Sequence, residues 1–384
     1  MKKRNVAIVI YSRANYARIK SLVVELKKSK KINLSVIIGA SALLDKYGNL
    51  ESILKKEKIK ITAKTYSIVQ GDNPLTMAKS TGLGIVELSQ IFSNIHPDIV
   101  VTVADRFETM ATAITSTYMN ITLAHTQGGE VTGSIDESVR HAITKMAHIH
   151  FPATKKSRDR IIKMGENKKN VFLTGCPSLD LINKKKLKFD KTFFKNFNYV
   201  GNKIDFKKKY LVILYHPVTT QYELEKRNTE ILLNVAKKID YQVIWFWPNI
   251  DAGSDNISKS IRIFREKNKT SKLSFVKNLP PEEFLKVIFN SECFIGNSSA
   301  ALREGSYLGI PSVSVGNRQK PREHGFNVIF SKINENELIN KIKLQINRKK
   351  KILPSNLFGD GNAAKKIVKI LENVKVDIQK KLSY

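Results

Sequence analysis

Short apolar runs alternate with longer amphipathic stretches from one end of the chain to the other, and this alternation limits the fold more than any other feature. Val6–Ile10, Leu34–Ile38, Ile99–Val103, Ile121–Ala124, Ile149–Phe151 and Val171–Leu173 read as strands. Helical patterns such as Tyr16–Lys27, Leu75–Ile95 and Ser134–Met146 lie between them. Apolar runs too short for a helix, separated by helices, imply a parallel sheet covered on both faces. From about Leu179 to Lys209 the periodicity lapses into Lys, Asn, Asp and Phe, and residues 179–209 read as a connection. A second series follows, with strands Tyr210–Leu214, Gln242–Phe246, Ser274–Val276, Cys293–Ile295 and Ser312–Val315. Tyr222–Lys238, Pro281–Phe289 and Ala300–Leu308 are its helices, and Asn362–Lys381 reads as a long C-terminal helix. The expected fold is α/β: two Rossmann-like doubly wound lobes, residues 1–178 and 210–361, facing across an interdomain cleft. In such sheets ligands bind beyond the carboxyl ends of the strands.

Composition excludes several other classes. The chain has 384 residues, which fits two domains. No apolar stretch approaches the roughly 18 residues a membrane span needs. The basic start resembles a signal peptide, but its apolar run ends at Ile10 before Tyr11-Ser12-Arg13, so it reads as a strand. Cys176 and Cys293 are far apart and without C-x-x-C spacing, as expected of reduced thiols in a cytoplasmic protein. The net charge of +32 comes from 66 Lys and Arg against 34 Asp and Glu. The lysines are spread over the whole chain and no nucleic-acid-reading motif accompanies them, so nucleic acid is not the expected partner. A positive field would still attract a nucleotide diphosphate.

Five strings at strand ends could carry chemistry. Ala104-Asp105-Arg106-Phe107-Glu108 follows Ile99–Val103; Asp105 suits either a cleft-facing acid or a helix N-cap. His125-Thr126-Gln127-Gly128-Gly129-Glu130 follows Ile121–Ala124, its glycines letting backbone approach a ligand. Ser134 and Glu137 fit a capping box, which puts Asp136 in the first helical turn with Arg140 four residues on. Asp105, Glu130 and Asp136 thus fall at consecutive strand ends, the grouping acid–base chemistry needs. His216-Pro217 ends the first strand of the second lobe. Gly296-Asn297-Ser298-Ser299 would open a helix whose N-terminus suits a phosphate, with Glu304 spaced to reach ribose hydroxyls. Arg318 and Lys320 follow the next strand and would complement a diphosphate. Arg13, after the first strand, could reach a phosphate as well. No Gly-x-Gly-x-x-Gly or P-loop is present, which argues against NAD and ATP sites.

Together these strings resemble the UDP-N-acetylglucosamine 2-epimerase family, and most closely its hydrolysing branch, which feeds nonulosonic (sialic and legionaminic) acid synthesis. The resemblance covers Val6 to about Val328. Its most specific pieces are Gly128-Gly129-Glu130 with Asp136 to Lys145, and Gly296-Asn297-Ser298-Ser299 with Gly316-Asn317-Arg318-Gln319-Lys320. It implies a glycosyltransferase-B-type architecture in which residues 362–384 return to the first lobe. It implies Asp105, Glu130, Asp136 and His216 as catalytic residues. Arg13, Gln127, Arg140, Ser298, Ser299, Glu304 and Arg318 are the implied substrate and UDP contacts. No cofactor and no metal is implied. The partners implied are a UDP-sugar and further copies of the chain, as a dimer or tetramer. The implied reaction turns UDP-GlcNAc into free N-acetylmannosamine and UDP through a 2-acetamidoglucal. UDP-2,4-diacetamido-2,4,6-trideoxyglucose is the alternative substrate, and release of UDP-ManNAc by a non-hydrolysing epimerase the alternative outcome. Ala104, Gln127 and Ser299-Ala300 depart from the family pattern, and Gln127 lies in the loop expected near the hexose. A retaining glycosyltransferase would share the second-lobe motif but needs an acceptor site. A non-catalytic nucleotide-sugar binder would need no acid cluster.

Overall fold

A computed structural model describes residues 3–45, 49–71, 73–103, 106–248, 251–268 and 272–383. The chain forms two compact units. The first holds Met1–Val131, Ile135–Leu181 and Phe358–Tyr384, and the second Thr132–Ser134 and Ile182–Leu357.

The first unit contains strands β1 (Arg4–Ile10), β2 (Ile32–Gly39), β3 (Ala63–Thr65), β4 (Ile99–Val103), β5 (Thr122–Thr126) and β6 (Ile149–Phe151). Helices α1 (Arg13–Lys28), α2 (Leu50–Lys56), α3 (Pro74–Ile95), α4 (Phe107–Tyr118), α5 (Asp136–Met146) and α6 (Lys155–Lys163) connect and follow them. The sheet is parallel, in the order β3-β2-β1-β4-β5-β6. The order reverses between β1 and β4, the crevice where doubly wound sheets bind ligands. Both faces are buried, which is why β1 and β4 are continuous Val/Ile runs: one apolar cluster lies on one face around Val6, Ile8 and Ile10, and another on the other around Ala7 and Val9.

The second unit opens with α7 (Lys191–Asn196) and β7 (Val200–Gly201). Then come β8 (Tyr210–Leu214), α8 (Glu225–Lys238), β9 (Gln242–Phe246), α9 (Ser254–Lys267), β10 (Leu273–Val276), α10 (Pro281–Phe289), β11 (Cys293–Gly296), α11 (Glu304–Leu308), β12 (Ser312–Val315), β13 (Val328–Ser331) and α12 (Glu335–Ile346). Its order is β13-β12-β11-β8-β9-β10-β7, the same winding with an antiparallel edge strand added, and it reverses between β8 and β11. α13 (Ala363–Asn373) returns to the first unit, where Ala364, Ile367, Val368 and Leu371 complete the cluster around Val6. Fully burying Ile367 and Leu371 contributes about 1.5–3 kcal/mol each.

The structure corrects five local expectations. The C-terminal helix ends at Asn373 rather than Lys381, because its apolar stripe ends at Leu371; the tail beyond is held by the Ile378 carbonyl and the Lys380 side chain. Val171–Leu173 is no strand: Val171 makes a single bridge to His150, and the chain then turns where Gly175 meets Gly359. Residues 182–209 are part of the second unit. Phe189, Phe193, Phe197 and Phe206 build a ring cluster there, with neighbouring centroids such as Phe189–Phe193 at 4.5 Å and Phe197–Phe206 at 5.1 Å. The helix expected over Ala300–Leu308 is α11 alone, five residues long. The capping box of Ser134 and Glu137 does not form: the N-cap of α5 is Ile135, without a side-chain cap, and the Ser134 hydroxyl is buried without a hydrogen-bond partner. Thr132–Ser134 group instead with the second unit, where the Gly133 N–H donates to the Arg318 carbonyl at 2.9 Å. Three short strands, β3, β7 and β13, escaped the sequence reading. Among the described residues no helix is long and apolar enough to cross a membrane.

Candidate functional site

In the first unit the expected residues follow the ends of neighbouring strands. Ser12 caps α1, its Oγ accepting from the Asn15 N–H at 3.0 Å, and Arg13 takes the first helical position. A cation there opposes the helix dipole. The Arg13 side chain is half-buried, and burial lowers its affinity for a proton. No carboxylate among the described residues pairs with it. A partly desolvated guanidinium at the switch point, without a carboxylate partner among the described residues, is the arrangement expected of a group that receives an anion.

Asp105 lies outside the described residues. The cap of α4 is Arg106, whose guanidinium forks onto the buried Glu108 at 3.1 and 3.0 Å.

After β5 the backbone turns sharply. Gln127 has φ +61° and is buried, a conformation non-glycine residues seldom adopt. Its amide donates to Cys176 Sγ at 3.3 Å and its carbonyl accepts from Arg18 at 3.4 Å. Its side chain therefore packs toward α1 and Cys176. Gly129 has φ +72°, and a Cβ there would lie 2.3 Å from the Ser157 carbonyl oxygen, so only glycine fits. Two arginines grip this loop: Arg140, itself fully buried, donates to the Glu130 carbonyl at 2.9 Å, and Arg160 donates to that of Gly129. Glu130 is buried, and Asp136 sits half-exposed in the first turn of α5. His125, beneath the loop, lies 3.2 Å from Thr144 Oγ1, whose hydroxyl donates to the Arg140 carbonyl; His125 Nδ1 is accordingly the protonated nitrogen of that contact.

In the second unit His216 follows β8 and Asn297 follows β11, on either side of the switch point. The Asn297 side chain accepts from the His216 N–H at 2.8 Å and donates to the His216 carbonyl at 2.7 Å. The Asn297 carbonyl accepts from Gln319, which in turn accepts from Arg322. Gly296 has φ +139°, and a Cβ would strike the Leu214 carbonyl at 2.0 Å, so β11 can lie against β8 here only as glycine. Ser298 Oγ accepts from the Ala300 N–H at 3.3 Å, and Ser299 Oγ from Arg303 at 3.2 Å. With α11 starting only at Glu304, the Ser298-Ser299 turn lacks the long helix dipole expected behind it. Glu304 opens α11, half-buried.

Arg318 lies 3.8 Å from the buried Asp251. Glu225, fully buried, accepts from the Val218 N–H at 2.8 Å; burial raises its carboxyl and nearby Arg318 opposes the rise. A cavity of about 130 Å³ opens at the ends of β8, β11, β12 and β13, lined by Tyr215, Val218, Asn297, Val315, Gly316 and Lys332 among others. Sequence reasoning missed Arg160, Glu225 and Asp251. Asp251 carried a signal, an acid just before Gly253-Ser254 at a helix start beyond a strand that had been read. Arg160 and Glu225 carried none, since helical acids and bases are usually surface groups.

Two doubly wound units of this kind define the glycosyltransferase-B-type architecture. The chain matches the model of the UDP-N-acetylglucosamine 2-epimerase family over residues 24–372, and it belongs to that family of enzymes. It is 30% identical over 376 residues to the UDP-N,N'-diacetylbacillosamine 2-epimerase (hydrolyzing) of Legionella pneumophila, covering 98% of this chain and 97% of that protein. It is also 30% identical, over 347 residues, to the GDP/UDP-N,N'-diacetylbacillosamine 2-epimerase (hydrolyzing) of Campylobacter jejuni, covering 87% and 86%. Among solved structures, the Methanocaldococcus jannaschii UDP-GlcNAc 2-epimerase in complex with UDP-GlcNAc and UDP superposes with a TM-score of 0.78 at 18% identity, covering 96% of this chain and 99% of that one. At that identity the likeness speaks for the fold.

Proposed function

We propose that this protein is a hydrolysing 2-epimerase of a UDP-linked 2-acetamido sugar. The observation that carries the reading is Arg13: a half-buried cation at the wrong end of a helix, without a carboxylate partner among the described residues, costs stability and is explained by an anionic ligand. The sugar we favour is UDP-2,4-diacetamido-2,4,6-trideoxyglucose, because the two 30% relatives are named for diacetylbacillosamine. UDP-GlcNAc is the second candidate.

In the α-linked substrate the C1–O bond is axial, and H2 is axial on the opposite face, so anti elimination is allowed. Cleavage of C1–O runs ahead of proton loss because H2 is weakly acidic. Arg13, His216, Ser298, Ser299 and Arg318 stabilise the departing UDP, with Glu304 on the ribose. Asp105 takes the C2 proton and a 2-acetamidoglucal results. Glu130 and Asp136 serve the hydration: water adds its oxygen to C1 and a proton reaches C2 from the other face. Arg140, holding the Glu130 carbonyl, keeps that carboxylate's backbone in place. The products are the free 2-epimer and UDP. Working cytoplasmically as a homo-oligomer completes the reading.

Product analysis by NMR with both sugar nucleotides tests it. Release of free 2-epimer and UDP without added acceptor is expected, and loss of turnover by at least about 100-fold in Glu130→Gln and Asp136→Asn. A UDP-linked product would point to a non-hydrolysing enzyme, and wild-type turnover in both variants would remove the roles given to Glu130 and Asp136.

A further inference from the structure

The buried acid Glu166 has no part in the reaction above, yet two lysines and a histidine converge on it. It is 3% exposed and accepts from Lys145 at 2.6 Å, from His150 Nε2 at 3.0 Å and from Lys380 at 2.8 Å. Lys380 comes from the C-terminal tail, some 200 positions away. Its ammonium also donates to the carbonyls of Lys145 and Ala147, each at 2.5 Å. All three of its protons are therefore used at the C-terminal end of α5, where the last carbonyls have no partner within the helix and a cation suits the dipole.

The tail is tied at two further points. His148 Nδ1 accepts from the Leu123 N–H at 3.1 Å, so its neutral ring carries the proton on Nε2 and donates it to the Ile378 carbonyl at 3.0 Å. The Ser383 N–H donates to the Gly165 carbonyl at 3.0 Å. A chain terminus without helix or strand normally frays. This one is bonded at 378 and 380 at the end of α5, and at 383 just past the end of α6.

We infer that this tail is a strap and that Lys380 is a positioning residue for the acid–base chemistry. α5 runs 11 residues, about 16 Å at 1.5 Å per residue, from Asp136 to the strapped end. It is rigid enough that the placement of one end sets the other. Its first turn carries Asp136, and Arg140 in its middle holds the Glu130 carbonyl. Lys380 thus acts on the carboxylates through α5 and does not touch substrate. The inference rests on the roles proposed for Glu130 and Asp136.

The test compares Lys380→Met, Lys380→Arg and Ser383→Pro with the wild type in the full-length chain. Lys380→Met should lower kcat roughly ten- to a hundredfold through misplacement of the acids. KM should stay within about twofold of the wild type, since UDP contacts are untouched. Lys380→Arg should recover most of that loss, and Ser383→Pro, which removes only the last tie, should fall between. Amide exchange over residues 136–146 should quicken in Lys380→Met while that of α8 stays as it was. Unchanged exchange in α5, or kcat falling only in proportion to unfolded protein, would overturn the strap. Should the wild type not turn over either sugar nucleotide, the functional reading fails, and the exchange measurement still decides whether Lys380 holds α5.

Discussion

Replacing Asn297 with aspartate isolates one interaction on which the second unit's site depends. The side chain is 1% exposed and bonds both polar groups of the His216 backbone, at 2.8 and 2.7 Å. Aspartate has the same shape. It keeps the acceptor for the His216 N–H but turns a second acceptor toward the His216 carbonyl. One hydrogen bond is lost, about 1 kcal/mol, and an acceptor faces the half-buried carbonyl in place of its donor, about 1–3 kcal/mol more. The expected loss is therefore about 2–4 kcal/mol before any cost of burying the new charge. Urea denaturation should register it as a lower midpoint at unchanged slope. Because His216 sits between the clamp and Pro217, the loop should shift and UDP should bind more weakly by calorimetry. Asn297→Ala, which removes both bonds, should be at least as unstable. If Asn297→Asp unfolded within about 0.5 kcal/mol of the wild type and bound UDP equally well, the two-bond clamp would not be what holds His216 across the switch point.

Three other outcomes follow from single observations. Gly129→Ala meets the Ser157 carbonyl at 2.3 Å with φ at +72°, so it should cost at least about 2 kcal/mol and lower the melting temperature by calorimetry. Arg13→Met should raise KM for the sugar nucleotide at least about tenfold, yet leave stability unchanged or raise it by about 0.3–1 kcal/mol, because it removes a cation from a helix N-terminus. Burial would raise the Glu166 carboxyl, but His150, Lys145 and Lys380 overcome that and hold it at about 2, below the usual 4.5. Its stabilisation is thus complete above pH 4.5 and is lost as pH falls from 4.5 toward 2, up to about 3 kcal/mol; in Glu166→Gln, stability followed across that window should lose this part of its slope.

The main sheets could be read from the sequence because a strand buried on both faces must be a continuous apolar run. β4, β6, β8, β9 and β12 have the bounds the apolar runs suggest. β3, Ala63–Thr65, could not be read: as a short edge strand it needs only one buried side chain, Thr65. The Phe189–Phe206 region gave no periodicity because its core is a knot of rings whose spacing follows no helix or strand. The C-terminal helix was overread for the converse reason: lysines at Lys375, Lys380 and Lys381 look like a solvated helical face, and only the fold reveals that Lys380 has a buried acid to reach. For the site, the strings at strand ends were visible, but the groups that hold them were not. Arg140 was legible as a partner of Asp136 at helical spacing, but its bond to the Glu130 carbonyl was not.

Backbone strain falls beside the proposed site independently of any motif. Among the described residues, five other than glycine have positive φ: Ala40, Lys58, His96, Asn120 and Gln127. His96 caps α3, and Lys58 and Asn120 follow the ends of α2 and α4, where left-handed backbone is an ordinary way to close a helix. Ala40 and Gln127 close no helix. They follow the carboxyl ends of β2 and β5, and both are buried. Next to Ala40, Ser41 and Ala42 both donate to the Tyr11 carbonyl, at 3.0 Å each, just ahead of Ser12-Arg13. Gln127 begins the loop that carries Glu130. Each strained residue thus adjoins a segment implicated in the chemistry, one cationic and one acidic. Strain of about 1–3 kcal/mol at such positions persists only where surrounding contacts over-determine it. Glycine at 127 should relieve the strain but also remove a buried side chain bonded to Cys176 and Arg18, so calorimetry should show a net loss of stability together with a looser Glu130 loop.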